Sequence, residues 1–326
     1  MNRELDLADI QGNIIRAYGG YGYPIARYFC LHIHNCVAGR AFVDAVRRQV
    51  TTAERWARGA RTYSGADAAP RPPVTVNIAF TFRGLLNLGL PTRTLRLLPD
   101  EFIDGMAGRA GILGDVGTSE PAQWDAVWRE SAGDGGSVEA PRNKAVHIWL
   151  SLNAQADEHG EPVAALEEKT QWIRDLCQAS MGGVELLSGH GPQQTDFQPA
   201  KALMIKANGR TVPTSKEHFG FSDGIGNPVF DGQYEPHVEA QRVIGRGKLM
   251  PDQTWAPLAT GEFILGHADE SQELPPAARP VDFMRNGTFM VYRKLHQNVA
   301  SFQSYIERMA QHYGQIMGVS RQEASE

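Results

Sequence analysis

Arg27-Tyr28-Phe29-Cys30-Leu31-His32-Ile33-His34-Asn35 alternates in side-chain character with the period of a strand. The residues after it change period. From about Ala38 to Ala57 the spacing predicts a helix with Phe42, Val46 and Val50 on one face. A Gly-, Ser- and Pro-rich loop, Gly59 to Pro73, ends it. Val74 to Phe82 is a second strand, and Leu85 to Pro91 a short helix stopped by Gly89 and Pro91. Asp100 to Pro141 is rich in Gly, Asp and Ser and reads as a long, partly ordered insertion. Lys144 to Asn153 is a third strand. Val163 to Ala179 is a helix burying Leu166, Trp172, Ile173 and Leu176, and Val184 to Ser188 is a fourth strand. Strand, helix, strand, strand, helix, strand is the ferredoxin-like order, with helices on one face of an antiparallel sheet. A doubly wound nucleotide-binding fold needs strict alternation and a glycine fingerprint after the first strand, and neither is present.

A second unit begins near Ala202. It holds the glycine-rich Gly220 to Pro228, strand-like Glu262 to His267 and Thr288 to Leu295, and a helix from Asn298 to about Gly318. The expectation is an α+β chain of tandem ferredoxin-like units with antiparallel sheets: residues 1–200 form the first, and residues 201–326 the N-terminal part of an incomplete second. Ser320 to Glu326 reads either as the start of another helix or as a polar tail.

The chain has 326 residues and a formal net charge of -5, with lysines and arginines scattered. That excludes the basic surface of a dedicated nucleic-acid binder. No apolar run approaches the roughly 18 residues of a membrane-spanning helix, and no secretory signal opens the chain. Three cysteines without a CxxC pair fit a reducing, cytoplasmic setting.

The sharpest local feature is Gly220-Phe221-Ser222-Asp223-Gly224-Ile225-Gly226-Asn227-Pro228. Three glycines flank one carboxylate, allowing positive φ and close approach of the backbone to a flat or bulky ligand. Phe221 and Ile225 are apolar neighbours able to desolvate Asp223. The same residues also fit a tight turn with Asp223 bonded to backbone amides. A calcium loop fits less well, because only Asp223 and Asn227 supply side-chain oxygens.

Cys30, His32, His34 and Cys36 stand at alternate positions and so share one strand face. Same-face neighbours lie about 6.5–7 Å apart, whereas ligands of one zinc must come within about 4 Å of each other. A half-buried strand face without a metal is the expectation. His190, His218, His267 and His296 read as surface or supporting residues. No Ser-His-Asp order, P-loop or HExxH motif occurs.

At the glycine loop the sequence resembles the dye-decolourising peroxidase family, whose GxxDG hallmark is matched by Gly220, Asp223 and Gly224 and extended by Gly226-Asn227-Pro228. Other blocks agree in the family's order. They are Asp9-Ile10-Gln11-Gly12-Asn13-Ile14-Ile15-Arg16-Ala17-Tyr18-Gly19, then Phe80-Thr81-Phe82-Arg83-Gly84-Leu85 with Leu88-Gly89-Leu90-Pro91, then Gly261-Glu262-Phe263-Ile264-Leu265-Gly266 and Arg285 to Leu295. The resemblance spans nearly the whole chain and implies haem b chemistry. Asp223 would move the proton that lets hydrogen peroxide break its O–O bond, since one carboxylate within reach of both oxygens serves as base and acid. Gly220, Phe221, Gly224, Ile225 and Gly226 would shape the cofactor pocket on that side. An aromatic, electron-rich compound would be the reducing substrate. The unperturbed pKa of an Asp, about 3.9, implies an acidic working range.

The family blocks carrying the proximal His and the distal Arg have no counterpart after Leu295, so no iron ligand is carried over and Arg293 is not the distal Arg. Three readings follow. The chain is one part of a two-chain peroxidase whose second polypeptide supplies that His and Arg, a fragment of a longer enzyme, or a non-catalytic binding or scaffold subunit of the same fold without haem. The first two expect an exposed apolar face inviting a partner or self-association into an oligomer.

Overall fold

The computed structural model describes residues 5–56, 70–132, 144–191, 195–224 and 226–320. Its first part is a ferredoxin-like unit. Strand β1 (Ile25–Ile33) leads to helix α1 (Cys36–Arg47), then strand β2 (Val74–Phe80) and helix α2 (Phe82–Asn87). Strand β3 (Ile148–Ala154), helix α3 (Ala165–Ala179) and strand β4 (Val184–Leu186) complete it. The sheet order is β2-β3-β1-β4, antiparallel throughout.

Register follows from the alternation. Phe29 opposes Leu150 and Leu31 opposes Ile148. Phe29, Leu31, Ile33, Ile148, Leu150 and Leu152 form one face of the sheet and meet Phe42 and Val46 of α1 and Leu166 and Ile173 of α3. Each such side chain contributes about 1.5–3 kcal/mol on burial. Val76 and Val74 extend that core along β2. A fifth strand, β5 (Gln198–Lys201), was not expected. It pairs with the first half of β1, Ile25 opposite Lys201, while β4 takes the second half, Leu31 opposite Leu186.

Several expected elements are corrected. Helix α1 begins at Cys36, where Asn35 Oδ1 accepts from the N–H groups of Val37 and Ala38, and ends at Arg47 rather than Ala57. The β-branched Val50-Thr51-Thr52 favours extended backbone. Thr51 donates to Val76 O at 2.8 Å and Thr52 bridges Gln11, so the chain joins the sheet side instead of continuing the helix. The stretch from Asp100 is helical in part, at Asp100–Gly108, Ala110–Leu113 and Ala126–Ala132. Most of the expected loop at 59–73 lies outside the described residues, as do residues 133–143 and 321–326.

Beyond β5 the chain forms an antiparallel hairpin, β6 (Met204–Ala207) with β7 (Arg210–Pro213), and a helix at Pro236–Arg242. A two-residue pairing of Lys248–Leu249 with Trp255–Ala256 follows. The terminal helix α4 (Val299–Met317) appears where the sequence places it, with Asn298 Oδ1 capping Ser301 N–H at 3.0 Å. The two expected strands do not form. Glu262 ends a 3-10 turn that runs into further turns. Residues 288–298 have no ladder partner.

Instead, residues 292–294 lie across the sheet face opposite α1 and α3. The Tyr292 ring sits 5.6 Å from Tyr28, 5.6 Å from Trp128 and 5.8 Å from Trp149. Arg293 pairs with buried Asp115. Lys294 Nζ reaches Asp125 at 2.7 Å and His190 O at 2.9 Å. Aromatic fit and two ion pairs replace backbone pairing here, which an alternating pattern does not distinguish from a strand.

Candidate functional site

The glycine loop is the tip of a small hairpin. Lys216 bridges Ser222 in antiparallel fashion. Asp223 N–H donates to Ser215 O at 2.9 Å and Glu217 N–H to Phe221 O at 2.9 Å. The turn requires φ of +96° at Gly220 and +75° at Gly224. A Cβ at Gly220 or Gly226 would meet nothing within 4 Å, so the space before both is open. Asp223 is exposed, and its Oδ1 accepts from Gly224 N–H at 2.7 Å. The second carboxylate oxygen has no partner among the described residues. The turn reading of the loop is therefore correct, and it leaves one oxygen available. Ile225, expected beside Asp223, lies outside the described residues.

The loop is anchored by residues the motif does not contain. Glu217 Oε1 accepts from Phe221 N–H and Oε2 from Phe219 N–H, both at 2.8 Å. Those two amides, Phe219 first, hold the Glu217 carboxyl below its ordinary range. Gln297 Nε2 donates to Glu217, and Gln297 Oε1 accepts from His218 N–H at 3.1 Å. The Phe219 and Phe302 rings lie 4.6 Å apart, and Phe221 reaches Phe302 at 6.1 Å, leaving Phe221 itself 63% exposed. Glu217 carries a faint sequence signal, an acceptor at the start of a glycine turn. Gln297 carries none, because the contact spans 80 residues in sequence.

The other histidines divide. His218 and His296 are exposed. His267 Nε2 bonds Asn286 Oδ1 at 2.8 Å, and His190 Nε2 bonds Leu187 O at 3.1 Å. On the strand face, His32 is buried and His34 bonds Glu185 at 2.8 Å. Among the described residues no group of three His, Cys, Asp or Glu side chains is placed to hold a metal. No helix among them is long and apolar enough to cross a membrane.

The antiparallel α+β unit sets the class of the fold, and the comparisons agree on it. The family model described as the DyP dimeric alpha+beta barrel domain matches residues 9–190. This chain belongs to the dye-decolourising peroxidase family. Peroxidase 2 of Mycetinis scorodonius is 25% identical over 302 residues, covering 93% of this chain and 45% of that protein. The dye-decolorizing peroxidase msp1 of the same organism is 31% identical over 150 residues, 42% of this chain and 26% of the relative. The crystal structure of the Auricularia auricula-judae peroxidase superposes with a TM-score of 0.61 at 19% identity, covering 94% of this chain and 52% of that one. A dye-decolorizing peroxidase solved with 2,6-dimethoxyphenol gives 0.56 at 21%. Both structural matches support the fold. The chain spans less than half the length of the curated relatives it matches.

Proposed function

We propose that this chain contributes the distal side of a haem b pocket in a dye-decolourising-type peroxidase, with Asp223 as the group that moves the peroxide proton. The observation that carries the reading is the placed carboxylate: Asp223 N–H is bonded to Ser215 O, its Oδ1 accepts from Gly224 N–H, its other oxygen has no partner among the described residues, and a Cβ at Gly220 or Gly226 would meet nothing within 4 Å. Those features fit a flat macrocycle approaching the loop, with Gly220, Phe221, Gly224, Ile225 and Gly226 along its edge. Haem, when bound, supplies the redox chemistry, and the protein sets polarity and access. Asp223 holds and returns a proton, and Phe221 is the apolar side chain two residues before it. An electron-rich aromatic compound is the proposed reducing substrate.

Helix α4 leaves Tyr305, Ile306, Met309, Tyr313, Ile316 and Met317 about half exposed or more. We propose that a partner polypeptide, or further peroxidase sequence, covers this face and supplies the proximal His and distal Arg, making the working form an assembly. The division near residue 200 separates the unit matched by the family model from the unit bearing the loop. A cytoplasmic setting fits the three free thiols.

The test isolates the assembled protein and measures its Soret band and peroxide-dependent dye oxidation for the native form and Asp223→Asn. The expected result is an unchanged Soret band with turnover lowered roughly 10²- to 10⁴-fold, the range of general acid–base contributions. Undiminished turnover in Asp223→Asn removes the assignment, and an assembly that takes up no haem favours the non-catalytic subunit.

A further inference from the structure

A cleft of about 550 Å³ opens on the first unit, lined by His32, Phe82, Arg83, Leu86, Asn87, Ile103, Ala145 and His147. It shares no residue with the glycine loop. Its size falls in the range of small-molecule sites, which pair apolar walls with a few placed polar groups.

The polar groups are placed by the fold. Thr81 caps α2, accepting from Gly84 N–H at 3.0 Å, and its hydroxyl donates to Val146 O at 2.8 Å. Gly84 lies so close to the strand end that a Cβ there would stand 2.0 Å from His147 O. The cleft wall made by α2 is thus clamped to the sheet. His147 Nδ1 accepts from Ile33 N–H at 3.0 Å, and its Nε2 faces Asn87 Nδ2 at 3.3 Å. The His32 ring stacks on His147 with centroids 4.2 Å apart.

His32 is 8% exposed, and its Nδ1 lies 2.8 Å from Ala145 O. A carbonyl accepts only from a donor, so Nδ1 carries the proton and Nε2 presents a lone pair. That lone pair has no partner among the described residues. His32 itself lines the cleft. Burial, foremost, lowers the His32 pKa and keeps the ring neutral near pH 7. Arg83 is exposed at the same cleft, and among the described residues its guanidinium has no carboxylate partner. The nearby Lys144 and His34 are met by Glu185, at 3.8 and 2.8 Å. Phe82, Leu86 and Ile103 supply the apolar wall.

Among the described residues the cleft combines a guanidinium fork without an anion, a buried acceptor without a donor and an apolar wall, which together define a complementary ligand. We propose that this cleft binds a small flat organic acid carrying a hydroxyl or N–H donor, with the carboxylate on Arg83, the donor on His32 Nε2, and the ring against Phe82, Leu86 and Ile103.

The probes are 3- and 4-hydroxybenzoate, with benzoate and phenol as the two half-ligands. Binding is followed by calorimetry and by the imidazole proton resonances of His32 and His147, without haem or peroxide. A negative result here therefore leaves the peroxidase reading standing. The expected result is saturable one-to-one binding of at least one hydroxybenzoate that shifts both imidazole signals. Benzoate should bind several-fold more weakly, the worth of one neutral hydrogen bond. Arg83→Gln, at an exposed position, should weaken the acids about tenfold or more, as for a charged hydrogen bond, and leave phenol unchanged. Phenol binding as tightly as the acids, Arg83→Gln binding like the native chain, or no saturable shift at millimolar ligand each overturns the proposal.

Discussion

Gln297 holds the turn before the glycine loop with both ends of its side-chain amide: the nitrogen donates to the Glu217 carboxylate, and the oxygen accepts from His218 N–H at 3.1 Å. The base of α4 and the loop that presents Asp223 are therefore one mechanical unit.

Gln297→Ala should free that turn. Amide exchange at residues 218–224 should quicken roughly five- to tenfold, the worth of one or two partly exposed hydrogen bonds. Gln297→Glu should be no better, since it sets a second carboxylate against Glu217. Unchanged exchange in Gln297→Ala would show that the Phe219–Phe302 contact alone holds the loop.

Gly84→Ala tests the clamp between α2 and the sheet. A methyl group there would overlap His147 O, a backbone atom that yields only if α2 moves away. Overpacking of this kind costs about 1–3 kcal/mol. A lowered melting temperature, with displaced His32 and His147 ring signals, is the expected readout; a native melting curve would contradict the geometry.

Stability should fall on acidification through His147. Burial, first, and the neighbouring His32 push its pKa down to about 4 from 6.5. The folded protein holds the ring neutral while the unfolded chain takes up a proton, so this stability is intact above about 6.5 and is lost progressively toward pH 4. With allowance for water at the cleft, the loss is on the order of 2 kcal/mol. Denaturant midpoints between pH 7 and 4 check this, and His147→Gln should flatten the dependence. An equally steep decline in His147→Gln assigns it to other groups.

Trp149 stacks on Tyr28 at 5.3 Å while its indole N–H is buried without an acceptor among the described residues. Trp149→Phe removes an unsatisfied donor and keeps a ring, so the two effects should nearly cancel, leaving stability within about 1 kcal/mol. Trp149→Ala should cost about 3–5 kcal/mol. Chemical denaturation of the pair separates packing from the polar defect.

The first unit was legible because its strands carry their own pattern. Phe29, Leu31 and Ile33 alternate with Cys30 and His32, and both faces found cover in the register that this alternation demands. What the pattern hid were competitions between local preference and distant partners. Thr51 and Thr52 left the helical path for β2 and Gln11. Thr288 to Leu295 alternates like a strand, yet Tyr292, Arg293 and Lys294 are bound through side chains to elements more than 100 residues earlier. The loop around Asp223 was recognisable from its glycines, whereas its supports, Glu217 and Gln297, became visible only when residues 80 apart met. The cleft at His32 shows the same limit: the strand-face spacing argued against zinc, and nothing in it announced Arg83 on the neighbouring helix.

The contacts of residues 292–294 reach beyond local packing. Gln297 follows Lys294 by three positions, so the segment moored to the first sheet also sets where the carboxylate loop begins. The position of the loop is thereby referred to a datum on the first sheet. A change that loosens the Tyr28–Trp149–Tyr292 stack would shift the alignment of Asp223 while leaving every atom around that aspartate chemically intact.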